Sequence, residues 1–206
     1  MEYSEVSRAI LADVSRCVGA VNSRQVDQLV EAIAGRRRIF MLGTGRSGAM
    51  LQAMGIRLGH LGIHVRHLGA VRQTHGAEAA HASGTRNSEP ATQNSKLDPA
   101  IGRGDLLLIG SGSGKTPMVL EHAQPAHDAG AEIVIITADH HSPAAQMANL
   151  IVHIPAYTAQ AGLTPHTLRS LYEECLLIVG DTVCRMLQER LGVTTREMHS
   201  RHSPVE

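Results

Sequence analysis

The sequence predicts an α/β protein built on a five-stranded parallel sheet, wound on both faces by helices. Three observations carry this. Five short β-rich runs recur along the chain, three of them almost wholly apolar, as strands buried on both faces must be. Stretches of helical periodicity lie between most of them, the pattern of parallel neighbours joined by right-handed crossovers. Two of the strands run into glycine- and serine-rich turns, GTGRSG and GSGSGKT, each followed by a helical pattern.

Two helices come first, over 3–21 and 23–34, with Ser23 expected to cap the second. The strands follow at 38–43 (RIFMLG), 63–68 (IHVRHL), 106–111 (LLLIGS), 132–137 (EIVIIT) and 150–155 (LIVHIP). Helices fill the gaps at 45–61, 117–129 and, as a short piece, 142–149. The longest helical pattern, 167–191, stops at Gly192, a natural residue just past a helix end. Thr194 or Thr195 then caps a last short helix reaching Ser200. Residues 70–96 (AVRQTHGAEAAHASGTRNSEPATQNSK) break the rhythm: polar, rich in small residues and without apolar periodicity. They read as a long surface loop inserted at about 70–97 of one domain spanning 1–206.

Composition narrows the function. A chain of 206 residues with 43% apolar content can bury one full core. Aromatic residues make up 2%, with no Trp and one Phe, so few rings are available to stack on bases. The formal net charge is zero, whereas nucleic-acid binders carry a basic surplus. No stretch reaches the ~18 apolar residues of a bilayer span. The N-terminus, MEYSEVSRAILADVSR, is amphipathic and acidic, unlike a signal peptide. Cys17, Cys175 and Cys184 show no CxxC spacing and read as reduced packing residues, which fits a cytoplasmic location. Among thirteen histidines, His60 and His64 are four apart and His199 and His202 three apart, but no acid completes an HExxH-type motif. Neither a metal nor a cofactor is expected.

The strongest local signal is the run from Leu106 to Thr116, LLLIGSGSGKT. A strand ends in a turn whose glycines allow close backbone approach. Ser111, Ser113 and Thr116 supply hydroxyls, Gly112 lies among them, and the next helix aims its N-terminal N–H groups at the same place. Together these describe a phosphate cradle at the carboxyl end of a strand. The nucleotide-binding P-loop, GxxxxGK[ST], is excluded because position 109 is Ile rather than Gly. The second signal, Gly43-Thr-Gly-Arg-Ser-Gly48, has the spacing of a dinucleotide fingerprint. The acid that should follow near residue 67 is missing from HVRHLGA, so Gly45, Arg46 and Ser47 read better as polar groups facing a sugar phosphate. Glu173 and Glu174, early in the long helix, taken alone read as acids complementing the helix dipole. The tail MHSRHSPVE taken alone reads as a frayed end.

In combination these segments resemble a known family. GTGRSG after a strand, then GDLLLIGSGSGKT, then ITADHHSPAAQMAN, resemble a sugar isomerase (SIS) domain. SLYEECLLIVGD and the ending LGVTTREMHSRHSPVE resemble one branch of it, the 6-phospho-3-hexuloisomerases, whose pattern reads GAGRSG, GDLLxxxSGSGxT, SLFEQ and RHxxLE. The resemblance implies a single SIS-type domain and cofactor-free interconversion of 3-hexulose 6-phosphate and fructose 6-phosphate in formaldehyde fixation. It implies Glu173 and His202 as catalytic residues. Ser47, Ser111, Ser113 and Thr116 fall on phosphate-binding positions, with Gly45, Arg46 and Gly112 beside them. It further implies a tetramer with active sites at subunit interfaces. A sugar-phosphate sensor without turnover, and an isomerase of another sugar phosphate, are the alternatives. The chain departs from the branch where GETTTPAI is interrupted by the insert, where Arg169 replaces a glycine, and where Lys115 adds a cation beside the turn.

Overall fold

The computed structural model describes residues 2–68, 101–156 and 170–202. The insert at 70–97, Arg169, the start of the helix expected from residue 167 and the last four residues lie outside them.

The helices are α1 (Tyr3–Gly19), α2 (Ser23–Ala34), α3 (Gly45–His60), α4 (Pro117–Asp128), α5 (Pro143–Gln146), α6 (Leu171–Leu191) and α7 (Thr195–Ser200). The strands are β1 (Ile39–Gly43), β2 (Val65–Leu68), β3 (Leu106–Gly110), β4 (Glu132–Thr137) and β5 (Leu150–His153). All pair in parallel, in the order β2-β1-β3-β4-β5. The expected α/β class, five strands and flanking helices are therefore present, most strands one or two residues shorter than read.

The apolar runs have a direct cause. Ile39, Met41, Leu106, Leu108, Val134 and Ile136 face one core with α1, α2, α3 and α6. Phe40, Leu42, Leu107, Ile109, Ile133 and Ile135 face a second core with α4 and α5. Successive side chains of a strand point to opposite faces, and both faces are covered, so every position must be apolar. Cys17, Cys175 and Cys184 are buried free thiols of the first core.

Caps correct one expectation. Asn22, not Ser23, caps α2: it is extended and its side chain accepts a hydrogen bond from the Arg24 N–H at 2.9 Å, while Ser23 is already helical. Gly192 ends α6 in the left-handed region, and Thr194 forms a capping box with Glu197. At the amino edge of the sheet, Arg38 grips buried Asp105 through two hydrogen bonds of 2.6 and 2.5 Å. Among the described residues, no helix is long and apolar enough to cross a membrane.

Candidate functional site

The strand order sets the location. From β1 the chain moves outward to β2, and from β3 it moves the other way to β4 and β5. The reversal lies between β1 and β3, whose last residues, Gly43 and Gly110, are register partners. Open parallel sheets bind ligands in the crevice at such a reversal, because the two loops leave in opposite directions. Both glycine-rich turns begin there.

After β1 the chain enters α3 at Gly45. A side chain on Gly43 would sit 2.9 Å from the Gly48 Cα, so only glycine lets α3 start so close to the strand. Thr44 caps α3 without using its side chain, and the first-turn N–H groups point into the crevice edge. Gly45 and Arg46 are exposed there, while Ser47 is buried.

After β3, residues 111–116 form the expected turn, and α4 opens at Pro117. The Ser111 hydroxyl oxygen accepts from the Gly114 N–H at 3.1 Å, and that of Ser113 from the Lys115 N–H at 3.3 Å. Ser111 is buried beneath the turn, whereas Ser113 and Thr116 are half-buried at its surface. A serine oxygen that accepts a backbone N–H keeps its own proton to give to an anion. Thr116 caps α4 with no side-chain bond. The turn is braced from β4 and α5: Thr137 Oγ1 donates to the Gly112 carbonyl at 3.2 Å, and the Ala144 N–H donates to the Gly114 carbonyl.

The third wall is the start of α6. Tyr172 is fully buried, and its hydroxyl donates to the Ile136 carbonyl at 2.7 Å, pinning the first turn of α6 to the end of β4. That anchor puts Glu173 against α3. Ser47 Oγ donates to Glu173 Oε1 at 3.2 Å, and Arg46 Nε lies 4.0 Å from Oε2. Burial pushes the Glu173 carboxyl above its ordinary range, although its own N–H, Ser47 and Arg46 work against the rise. Glu173 Oε2 accepts no hydrogen bond from the described residues. A half-buried carboxylate with a raised pKa and one oxygen free of hydrogen bonds from the described residues has the chemistry a general base needs.

Glu173, Ser47, Arg46 and the 111–116 turn thus gather around one crevice. His202 does not. Its ring stacks on His60, the last residue of α3, at 5.0 Å between centroids. Ser47, at the end of α3 touching Glu173, and His60 are thirteen positions apart, about 20 Å along the helix. Ser47 also looks different in place: its one O–H is committed to Glu173, so it meets a phosphate only by giving up that bond. Sequence reasoning missed Tyr172 and Thr137. The signal for Tyr172 was a polar aromatic at a core-facing position of SLYEE, where a buried hydroxyl needs a partner. Among the described residues, no group of three or more His, Cys, Asp or Glu could hold a metal ion.

Comparison with known proteins agrees with this architecture. The SIS domain family model matches residues 2–138. A 3-hexulose-6-phosphate isomerase of Mycobacterium gastri is 32% identical over 198 residues, covering 94% of this chain and 86% of that one. Another from Bacillus subtilis is 26% identical over the full length of both. A Methanococcus jannaschii protein, whose crystal structure was taken to infer a 3-hexulose-6-phosphate isomerase function, superposes with a TM-score of 0.71 at 24% identity. It covers 98% of this chain and 97% of its own. At that identity the superposition speaks for the fold.

Proposed function

The chain belongs to the SIS domain family and is an isomerase of sugar phosphates, and from that premise we propose that it interconverts D-arabino-hex-3-ulose 6-phosphate and D-fructose 6-phosphate. The observation that carries the reading is Glu173, a half-buried carboxylate with a raised pKa beside a hydroxyl-lined turn at the sheet's reversal. In this scheme the 111–116 turn and the N-terminus of α4 hold the phosphate. The distant end of the sugar is then fixed, and C2 and C3 lie before Glu173. Glu173 removes the proton beside the carbonyl and returns it to the neighbouring carbon through an enediol. No step of this chemistry calls for a metal or a redox cofactor.

His202 supplies or removes a proton at the enediol oxygens, or opens a cyclic form of the substrate. Because it lies at the opposite end of α3 from Glu173, it reaches this site from another subunit. The described large hydrophobics left exposed lie on α1, α3 and α6, including Leu11, Ile56 and Ile178, all on one helical layer. That layer is the surface through which copies assemble, as a tetramer in this reading. The protein then works in the cytoplasm, in formaldehyde fixation by the ribulose monophosphate route.

A coupled assay following fructose 6-phosphate formation from 3-hexulose 6-phosphate tests the reaction. Sustained turnover supports it, and binding without turnover would make the chain a sensor. Subunit exchange tests the shared site. Inactive Glu173→Gln and inactive His202→Ala chains, mixed and exchanged, should regain partial activity because one interface pairs two intact residues. Verified exchange without activity would refute the arrangement.

A further inference from the structure

Lys115 sits inside the phosphate turn, between Gly114, whose φ is +58°, and Thr116, the cap of α4. Its Nζ lies 2.8 Å from Asp139 Oδ2, on the loop that follows β4. The two partners are not equally fixed. The Lys115 side chain is 62% exposed on a flexible four-carbon stem. The Asp139 side chain is 29% exposed, its Oδ1 accepts the His141 N–H at 3.1 Å, and its own N–H donates to Thr137 Oγ1 at 3.1 Å. Thr137 in turn holds the Gly112 carbonyl of the phosphate turn. Asp139 is thus a stationary anion tied to the turn, and Lys115 is the mobile charge.

Exposed ion pairs of this kind are weak. A phosphate monoester carries a charge between −1.5 and −2 near neutral pH and offers three acceptor oxygens, against a single negative charge on Asp139. A phosphate seated on the Ser113 and Thr116 hydroxyls would be held by residues that flank Lys115 in the chain, two before it and one after. We propose that Lys115 is a phosphate ligand held in reserve by Asp139. On substrate binding its ammonium leaves the carboxylate for the phosphate, so the pair sets the affinity of the site for the doubly charged ester. This inference rests on the reading of the 111–116 turn as a phosphate cradle.

Direct binding separates the inference from that reading. Calorimetric titration of the full chain uses fructose 6-phosphate and inorganic phosphate as probes, with circular dichroism to verify folding. Lys115→Met should weaken both ligands about tenfold, the loss of one charge-assisted contact, and Lys115→Arg should restore most of the affinity. In turnover the Lys115→Met defect should fall on KM rather than kcat. Asp139→Asn keeps the oxygen that accepts from His141 but releases the lysine, so it should tighten binding. In a Lys115→Met background that gain should shrink. The sign decides against the rival in which the pair only latches two loops: a latch makes both single variants weaken binding. Equal weakening, or wild-type affinity in Lys115→Met, overturns the proposal while the cradle stands. If the wild-type chain binds neither probe, the cradle itself falls and the inference with it.

Discussion

Replacing Tyr172 by Phe removes a single oxygen from the fully buried ring that fastens α6 to β4. Its magnitude follows from what the Ile136 carbonyl keeps. That oxygen also accepts the Ser111 N–H at 3.1 Å, so losing the phenol does not orphan it. The cost is that of one neutral hydrogen bond, about 1 kcal/mol, rather than the larger penalty of a stranded buried carbonyl. The ring itself stays and so does its packing. In denaturant unfolding at one fixed protomer concentration, the midpoint should fall with an unchanged slope. In thermal unfolding the drop should be about 2–4 °C. Activity should suffer more than stability, because the first turn of α6 positions Glu173; a fall in kcat on the order of tenfold is expected from a small misplacement of the base. A loss of about 3 kcal/mol or more would refute the shared acceptor. Unchanged kcat would refute the claim that this hydroxyl positions Glu173.

Two further substitutions test the site. Glu173→Gln should abolish isomerisation yet stabilise the fold at pH 7–8. The folded-state pKa of Glu173 is raised, chiefly by burial, so the folded chain binds that proton more tightly than the unfolded chain. Its ionisation therefore costs nothing below the ordinary carboxylate range and opposes folding progressively as pH rises through the folded pKa. Thermal midpoints of the two chains should converge toward pH 4, and an equal gap at every pH would contradict this. Gly114→Ala should destabilise by about 2–4 kcal/mol, because φ is +58° and the new Cβ would collide with Ser142 Oγ. Ser142 is fully buried and caps α5, so it cannot yield freely, and denaturant unfolding near wild type would show otherwise.

The membership in the SIS domain family, the five strands and the two glycine- and serine-rich turns at strand ends were legible in the chain because each rests on short-range patterning. Uninterrupted apolar runs report burial on both faces, and glycine–hydroxyl clusters report a turn. The cap of α2 was misplaced by one residue because Asn22 and Ser23 are both good caps, and only the extended backbone at Asn22 chooses between them. Other features belong to the folded molecule. The reversal between β1 and β3 arises from strand pairing, which no local window contains. Ser47 and Glu173 are 126 positions apart and meet because α3 and α6 pack side by side. Lys115 finds Asp139, and Tyr172 finds the Ile136 carbonyl, across shorter gaps of 24 and 36 positions. By itself the sequence determined which residue types stand ready at strand ends. Tertiary structure decided which of them share a crevice, and at what pKa, because a carboxylate's proton affinity is set by the water it loses and the donors it gains on folding.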